Sequence, residues 1–173
     1  MAFRDGLTGL PNRRALEEQL RALAPPYAVA MVDVDHFKKF NDTHGHDIGD
    51  QVLKLVGGRL SAAAKDGVAY RYGGEEFSVL FPGASVDEAA KELEDIRDAI
   101  ATYRMAVRST DRPKQPDEGA KRRGAGGSEK MLSVTVSIGV AGPRSGATPQ
   151  HVIKAADEAL YRAKQAGRNR VSR

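Results

Sequence analysis

Residues Val68–Phe81 read VAYRYGGEEFSVLF, and this stretch decides the fold. Two strand-like runs, Val68 to Tyr72 and Phe77 to Phe81, flank Gly73-Gly74-Glu75-Glu76, so the segment reads as a β-hairpin with its turn at the glycines. Upstream, Tyr27 to Val34 (YAVAMVDV) is apolar on both faces until Asp33, as in a central strand covered on both sides. Ahead of it, Asn12 is placed to N-cap a helix carrying Ala15, Leu16, Leu20 and Leu23, which Pro25-Pro26 closes. A polar turn from Asn41 to Gly45 follows the strand, and Asp47 is expected to cap a helix with Ile48, Val52, Leu55 and Val56 on one face.

Downstream, Ser85 and Glu88 form a capping box that opens a helix through Ala89, Leu93, Ile96 and Ile100. Leu132, Val134, Val136, Ile138 and Val140 alternate with small or polar residues, the period of a half-buried antiparallel strand. Thr148-Pro149 starts a last helix that reaches about Ala166, with Gly167 at C′ and a short strand at Arg170-Val171. Strand, helix, hairpin, helix, strand is the ferredoxin-like split βαβ order. The predicted class is therefore α+β, an antiparallel sheet with flanking helices.

Bulk composition narrows the chemistry. The 173 residues suit one domain with a real core, and 40% apolar with 29% charged residues is ordinary for a globular chain. Lysine and arginine total 27 against 23 acids, a formal charge of +4, which suits phosphate-bearing ligands without pointing to nucleic acid. With no cysteine, disulfides, thiolate nucleophiles and cysteine metal sites are excluded. No apolar run approaches the roughly 20 residues of a membrane helix, and no signal-peptide pattern follows Met1, so a cytoplasmic setting without membrane contact is expected. Between Ser109 and Lys130, basic residues sit among prolines, glycines and four acids; this reads as an exposed basic insertion, most simply a tolerated surface loop.

Asp33 ends the first core strand, and Glu75 and Glu76 lie in the hairpin turn. In a split βαβ sheet the first strand lies beside that hairpin, so these acids are expected to meet at one edge. Clustered acids repel unless a cation neutralises them, and hard oxygen ligands suit Mg²⁺. Acids are common in turns, so spacing alone leaves open that Glu75 and Glu76 are solvated; Asp33, ending an apolar strand, is harder to read that way. Gly73-Gly74 fits either a turn needing positive φ or a close ligand approach. Phe37-Lys38-Lys39 could hold a triphosphate through backbone N–H groups and a lysine, or could be a solvated basic face. An Asn41 amide and an Asp50 carboxylate could pair with guanine, which adenine could not satisfy. Taken alone, Asp50 reads equally as a first-turn helix acid and His46 as a loop residue.

Five segments together resemble the GGDEF family of diguanylate cyclases: DGLTGLPNRR (Asp5 to Arg14), VDVDHFKKFNDTHGHDIGD (Val32 to Asp50), RYGGEEF (Arg71 to Phe77), VTVSIGVA (Val134 to Ala141) and ADEALYRAKQAGRNRV (Ala156 to Val171). They occur in the family's order across nearly the whole chain, with Glu75 at the signature's third position, a substitution active members also carry. The resemblance implies a fold like polymerase palms and nucleotidyl cyclases. It implies that Asp33, the Val34 carbonyl, Glu75 and Glu76 hold two Mg²⁺ ions, for which Mn²⁺ could substitute, and that Glu75 accepts the proton of an attacking 3′-hydroxyl. Asn41, His46, Asp50 and Gly74 match substrate positions, Phe37 and Lys38 the phosphate loop, and Lys164 and Arg168 distal basic residues reaching the triphosphate. The offset of four places the last two on one helical face.

The implied activity joins two GTP molecules into cyclic di-GMP in a homodimer, each domain holding one GTP. The helix signal within a dozen residues of Met1 suggests a domain cut from a longer protein, with a sensor or dimerisation segment upstream. As it stands, the chain is then expected to be largely monomeric and slow. Many members carry an inhibitory Arg-x-x-Asp product site; here those places hold Ala64-Lys65-Asp66-Gly67, so no tight product inhibition through that site is expected. Arg108 to Asp111 spells the same pattern at an unrelated place. A catalytically silent GTP- or cyclic-di-GMP-binding module is the alternative, disfavoured by intact Asp33, Glu75, Glu76, Asn41 and Asp50. A cyclase making another dinucleotide or a mononucleotide is a weaker one.

Overall fold

The computed structural model describes residues 3–64, 66–108, 129–144 and 147–173. In chain order the elements are α1 (Arg13–Ala22), β1 (Tyr27–Val34), α2 (Phe37–His44), α3 (His46–Ala63), β2 (Val68–Arg71), β3 (Glu76–Pro82), α4 (Val86–Thr102), β4 (Met105–Arg108), β5 (Glu129–Leu132), β6 (Val136–Ala141), α5 (Pro149–Gln165) and β7 (Val171–Ser172). One sheet runs β2-β3-β1-β6-β7, and β4 pairs with β5 in a separate two-stranded ribbon. The first four strands of the sheet are antiparallel neighbours in ferredoxin-like order; β7 joins β6 in parallel, so the sheet is mixed at that edge.

All eight residues of β1 are buried, as its two-faced apolar sequence requires. The period of two divides them. Ala28, Ala30, Val32 and Val34 join the core cluster containing α3 and α4 residues such as Val52, Val56, Leu93 and Ile96. Tyr27 and Val29 pack with Leu16, Leu20, Val152 and Ile153, and Met31 with Ala156 and Leu160, from α1 and α5. Asp33 has the same parity as Met31, so it faces α5. At the sheet's centre, the Ser78 hydroxyl donates to the Ala30 carbonyl at 2.8 Å, satisfying a fully buried polar group.

The helix starts follow the capping chemistry. Asn12 accepts from the Ala15 N–H at 3.2 Å, Ser85 and Glu88 form the reciprocal box, and Thr148 caps α5 with His151 in the third position. Gly167, at φ +120°, ends α5 in a left-handed turn: its N–H reaches the Lys164 carbonyl at 3.4 Å and the Arg168 N–H reaches the Ala163 carbonyl at 3.0 Å.

Five elements differ from expectation; one, β4, has no counterpart in the sequence reading. Asn41 to His44 belongs to helix α2 rather than to a polar turn, because the segment from Phe37 carries its own i→i−4 bonds as far as Gly45 N–H to Asn41 carbonyl, 2.7 Å. The residue capping α3 is Gly45, at φ +90° and ψ 161°, not Asp47, which lies in the helix's first turn. This sharp corner suits a glycine and folds α2 back against α3. The run from Leu132 to Val140 is two strands: Leu132 pairs with Met105 in the ribbon, and Val136 starts the pairing with β1 at Val34. Burial of Val134 and Val136 kept the alternation intact across the break. Finally, the terminal strand is Val171–Ser172. The basic insertion at 109–130 falls on residues that, apart from β5's Glu129 and Lys130, lie outside the described ones.

Candidate active site

The site is built where β1 ends beside the β2–β3 turn. Asp33 pairs in register with Glu76, so the two carboxylates share the face toward α5. The Val34 N–H donates to the Glu75 carbonyl at 3.3 Å, fastening the turn to the strand end. Asp33 is 4% exposed; one of its oxygens, Oδ2, is ion-paired with the Lys164 ammonium on α5, and the other, Oδ1, is buried without a hydrogen-bond partner. An orphaned, desolvated carboxylate oxygen is the observation that fits a cation ligand.

Neither glutamate is simply solvated. Burial first, then the neighbouring Asp33 carboxylate, push Glu75 up to about 7 from 4.5. Glu76 is raised by burial and then by Asp33 and Asp157. Asp157, on α5, is itself raised by burial, with Arg13 and Lys164 opposing. Among the described residues, no three acids or histidines are closed around a metal-sized hole; the Lys164 ammonium faces Asp33 instead.

The hairpin turn is held by Arg71. Its Nε donates to the Gly73 carbonyl at 2.6 Å, Nη2 to the Gly74 carbonyl at 2.5 Å, and Nη1 to Asp5 Oδ2 at 3.0 Å. Asp5 in turn accepts from the Thr8 N–H and hydroxyl at 2.8 and 2.7 Å. Burial opposes its charge, yet Thr8 and Arg71 together keep the Asp5 carboxyl below its usual range. With the turn held this way, neither Gly73 nor Gly74 takes a positive φ, which overturns the conformational reading of the pair. A Cβ on Gly74 would meet nothing within 4 Å. On Gly73 it would meet only the Glu76 Cβ, at 3.8 Å, so the turn is sterically open, as a close ligand approach needs.

Beyond Asp33 the chain turns through His36, at φ 56°, into α2. Phe37 is buried at its start and Lys38 is exposed in its first turn. Asn41 lies in the last turn of α2, its Oδ1 buried without a partner and packed over Gly49 of α3, where any side chain would strike the amide. His46 and Asp50 are exposed at the start of α3. Lys164 ends α5, but Arg168 stands beyond the helix, exposed, at φ 65°. The shared helical face expected for these two is therefore corrected: the chain leaves the helix at Gly167 before reaching Arg168.

Sequence reasoning gave no role to Asp5, Arg71, Asp35 or Asp157. Asp35 is 8% exposed and accepts from the Thr135 hydroxyl at 2.6 Å, the Ser137 hydroxyl at 2.6 Å and the Asn169 N–H at 3.0 Å. It thus ties the end of β1, the start of β6 and the turn carrying Arg168 together. Asp5 and Arg71 are 66 residues apart and the partners of Asp35 lie 100 to 134 residues away, beyond any local spacing; the one legible hint for Asp35 was a second acid closing an apolar strand.

A family model described as "Diguanylate cyclase, GGDEF domain" matches residues 2–117 and 122–170. The chain belongs to the GGDEF family. This GGDEF domain is 39% identical over 180 residues to the response regulator PleD of Caulobacter vibrioides, covering 99% of this chain and 36% of that protein. It is 37% identical to the diguanylate cyclase VdcA of Vibrio cholerae, covering 98% of this chain and 46% of the other. The chain thus spans less than half the length of the curated relatives it matches. Among solved structures, the GGDEF domain of DgcB from Caulobacter crescentus, in complex with c-di-GMP, superposes with TM-score 0.82 at 36% identity, over 99% of this chain and 93% of that one. The active GGEEF domain of a diguanylate cyclase from Vibrio cholerae gives 0.70 at 26% identity, over 93% and 95%. These neighbours confirm the α+β, palm-like class. No helix among the described residues is long and apolar enough to cross a membrane.

Proposed function

We propose that this GGDEF domain is the catalytic unit of a diguanylate cyclase that condenses two GTP molecules into cyclic di-GMP and two pyrophosphates. The observation that carries the reading is the buried, unpartnered Oδ1 of Asp33 at the strand end joined to the Gly-Gly-Glu-Glu turn, with Glu75 raised by burial and by Asp33 beside it. Asp33, the Val34 carbonyl, Glu75 and Glu76 would hold two Mg²⁺ ions. When bound, the metal supplies charge neutralisation at the phosphates and lowers the pKa of the attacking hydroxyl.

The chain's own residues do the rest. The buried Asn41 amide oxygen offers an acceptor to guanine's N–H groups, with Asp50 beside it in the next helix and His46 at the same corner. Phe37 and Lys38 line the phosphate loop, and Lys164 and Arg168 bring positive charge to the triphosphate. Glu75 takes the proton as the 3′-oxygen of one GTP bonds to the α-phosphorus of the other, and the bond to the β-phosphate breaks with loss of pyrophosphate. Repetition closes the ring. One domain presents one such acid cluster, so two copies face each other across the nucleotides, brought together in the full-length protein by an upstream sensor or dimerisation segment. Without Arg and Asp at positions 64 and 67, product does not inhibit tightly through that site.

Concentrated protein incubated with Mg²⁺ and GTP or ATP, with products identified by mass spectrometry, tests this. Cyclic di-GMP from GTP alone is expected. Binding of GTP without turnover at any protein concentration refutes catalysis in favour of a silent module.

A further inference from the structure

We propose that Lys164 is an exchangeable counter-cation: its ammonium neutralises Asp33 when no divalent ion is bound and moves to the phosphates of an arriving nucleotide, so that metal and nucleotide load together. This rests on the metal-site reading above.

The parity of β1 turns Asp33 toward α5, where the carboxylate is almost wholly removed from water. An uncompensated charge there is costly, and the ion pair with Lys164 relieves it on one oxygen only. The two partners are not equally fixed. The Asp33 side chain is 6% exposed and anchored in a central strand, whereas the Lys164 side chain is 32% exposed at the end of a helix. A lysine is a point charge on a flexible stem, so its head can leave while the helix stays in place. Asp157 lies two turns earlier on the same helix, and Lys164 acts electrostatically on Asp157, Glu75 and Glu76 as well as on Asp33. The ammonium therefore contacts Asp33 and acts through space on three further carboxylates.

A divalent ion on the free Oδ1 of Asp33 would share that carboxylate with the ammonium on Oδ2, and the two like charges would repel, so metal arriving alone weakens the Lys164 contact. Metal arriving with a triphosphate brings a new set of oxygens for the displaced ammonium. Lys164 thus opposes the metal when it comes alone and favours the pair. By linkage the coupling is reciprocal, and couplings of this kind run about 5- to 150-fold.

The test uses Mn²⁺ as probe, titrated by electron paramagnetic resonance into the full chain, first alone and then with a non-hydrolysable GTP analogue. Lys164→Met is expected to bind Mn²⁺ alone about tenfold more tightly than the unsubstituted chain, and the analogue in the presence of Mn²⁺ about tenfold more weakly. Lys164→Arg, which keeps the charge, is expected to stay near the unsubstituted chain in the first titration. Asp33→Asn is expected to abolish the Mn²⁺ site in every background. Mn²⁺ affinity that is sensitive to Asp33→Asn but unchanged or weakened by Lys164→Met overturns the exchange and leaves the metal-site reading standing. Absence of any Mn²⁺ site sensitive to Asp33→Asn overturns both.

Discussion

Adding a single methyl group at Gly139 should lever helix α5 away from the sheet. Gly139 lies in β6 opposite Met31, and a Cβ built there would fall inside van der Waals contact with the Leu160 nitrogen and the Ala156 oxygen, and 2.7 Å from the Ala159 carbonyl carbon. All three are helix backbone, which no rotamer change can move aside. To restore ordinary separation the helix must retreat, opening the packing of Ala156, Ala159, Leu160 and Ala163, each at most 5% exposed. Gly139 has no positive φ, so backbone strain does not contribute and the effect is steric. Overpacking costs typically about 1–3 kcal/mol, and a clash with backbone belongs at the top of that range or above. For a domain of this size, about 3 kcal/mol lowers Tm by roughly 6–12 °C. Gly58 is the matched control: mid-helix in α3, exposed, with nothing within 4 Å of an added Cβ. Gly58→Ala should stabilise by about 0.5–1 kcal/mol through helix propensity. Thermal melts followed by circular dichroism measure both. A Gly139→Ala protein melting within about 2 °C of the unsubstituted one would refute the close approach of α5 to β6, and with it the placement of Lys164 against Asp33.

Two further outcomes follow from the site. In metal-free protein, Glu75 holds its proton more tightly folded, at about 7, than at its ordinary 4.5, so the stability it confers is complete below about 4.5 and is lost as pH rises to about 7. Melts in chelator across that window should fall with pH in the unsubstituted chain and fall less in Glu75→Gln; parallel curves would contradict the desolvated environment. Asp5→Ala removes the carboxylate that steadies Arg71, itself the clamp on the Gly73 and Gly74 carbonyls. Loss of a partly buried, charge-assisted hydrogen bond should cost about 1.5–3 kcal/mol in urea unfolding, and under the proposed activity turnover should fall by more than stability does. Full turnover in a folded Asp5→Ala protein would show that the turn needs no clamp.

The sequence by itself determined the order of the main elements, though not α2 or the β4–β5 ribbon, because hydrophobic period and capping chemistry act over a few residues. The two-faced β1, the boxes at Ser85 and Thr148 and the Gly167 stop were all legible for that reason. It also determined which residue types could meet, through motifs spanning nearly the whole chain. Tertiary structure alone decided how they meet. Strand parity turned Asp33 toward α5 and gave it Lys164; the Gly45 corner set Asn41 over Gly49; the break after Leu132 divided one alternating run between two sheets. The supports of the site, Asp5 on Arg71 and Asp35 on Thr135, Ser137 and Asn169, join segments 66 to 134 residues apart. Such pairings depend on three-dimensional closure, and a linear pattern carries no term for it.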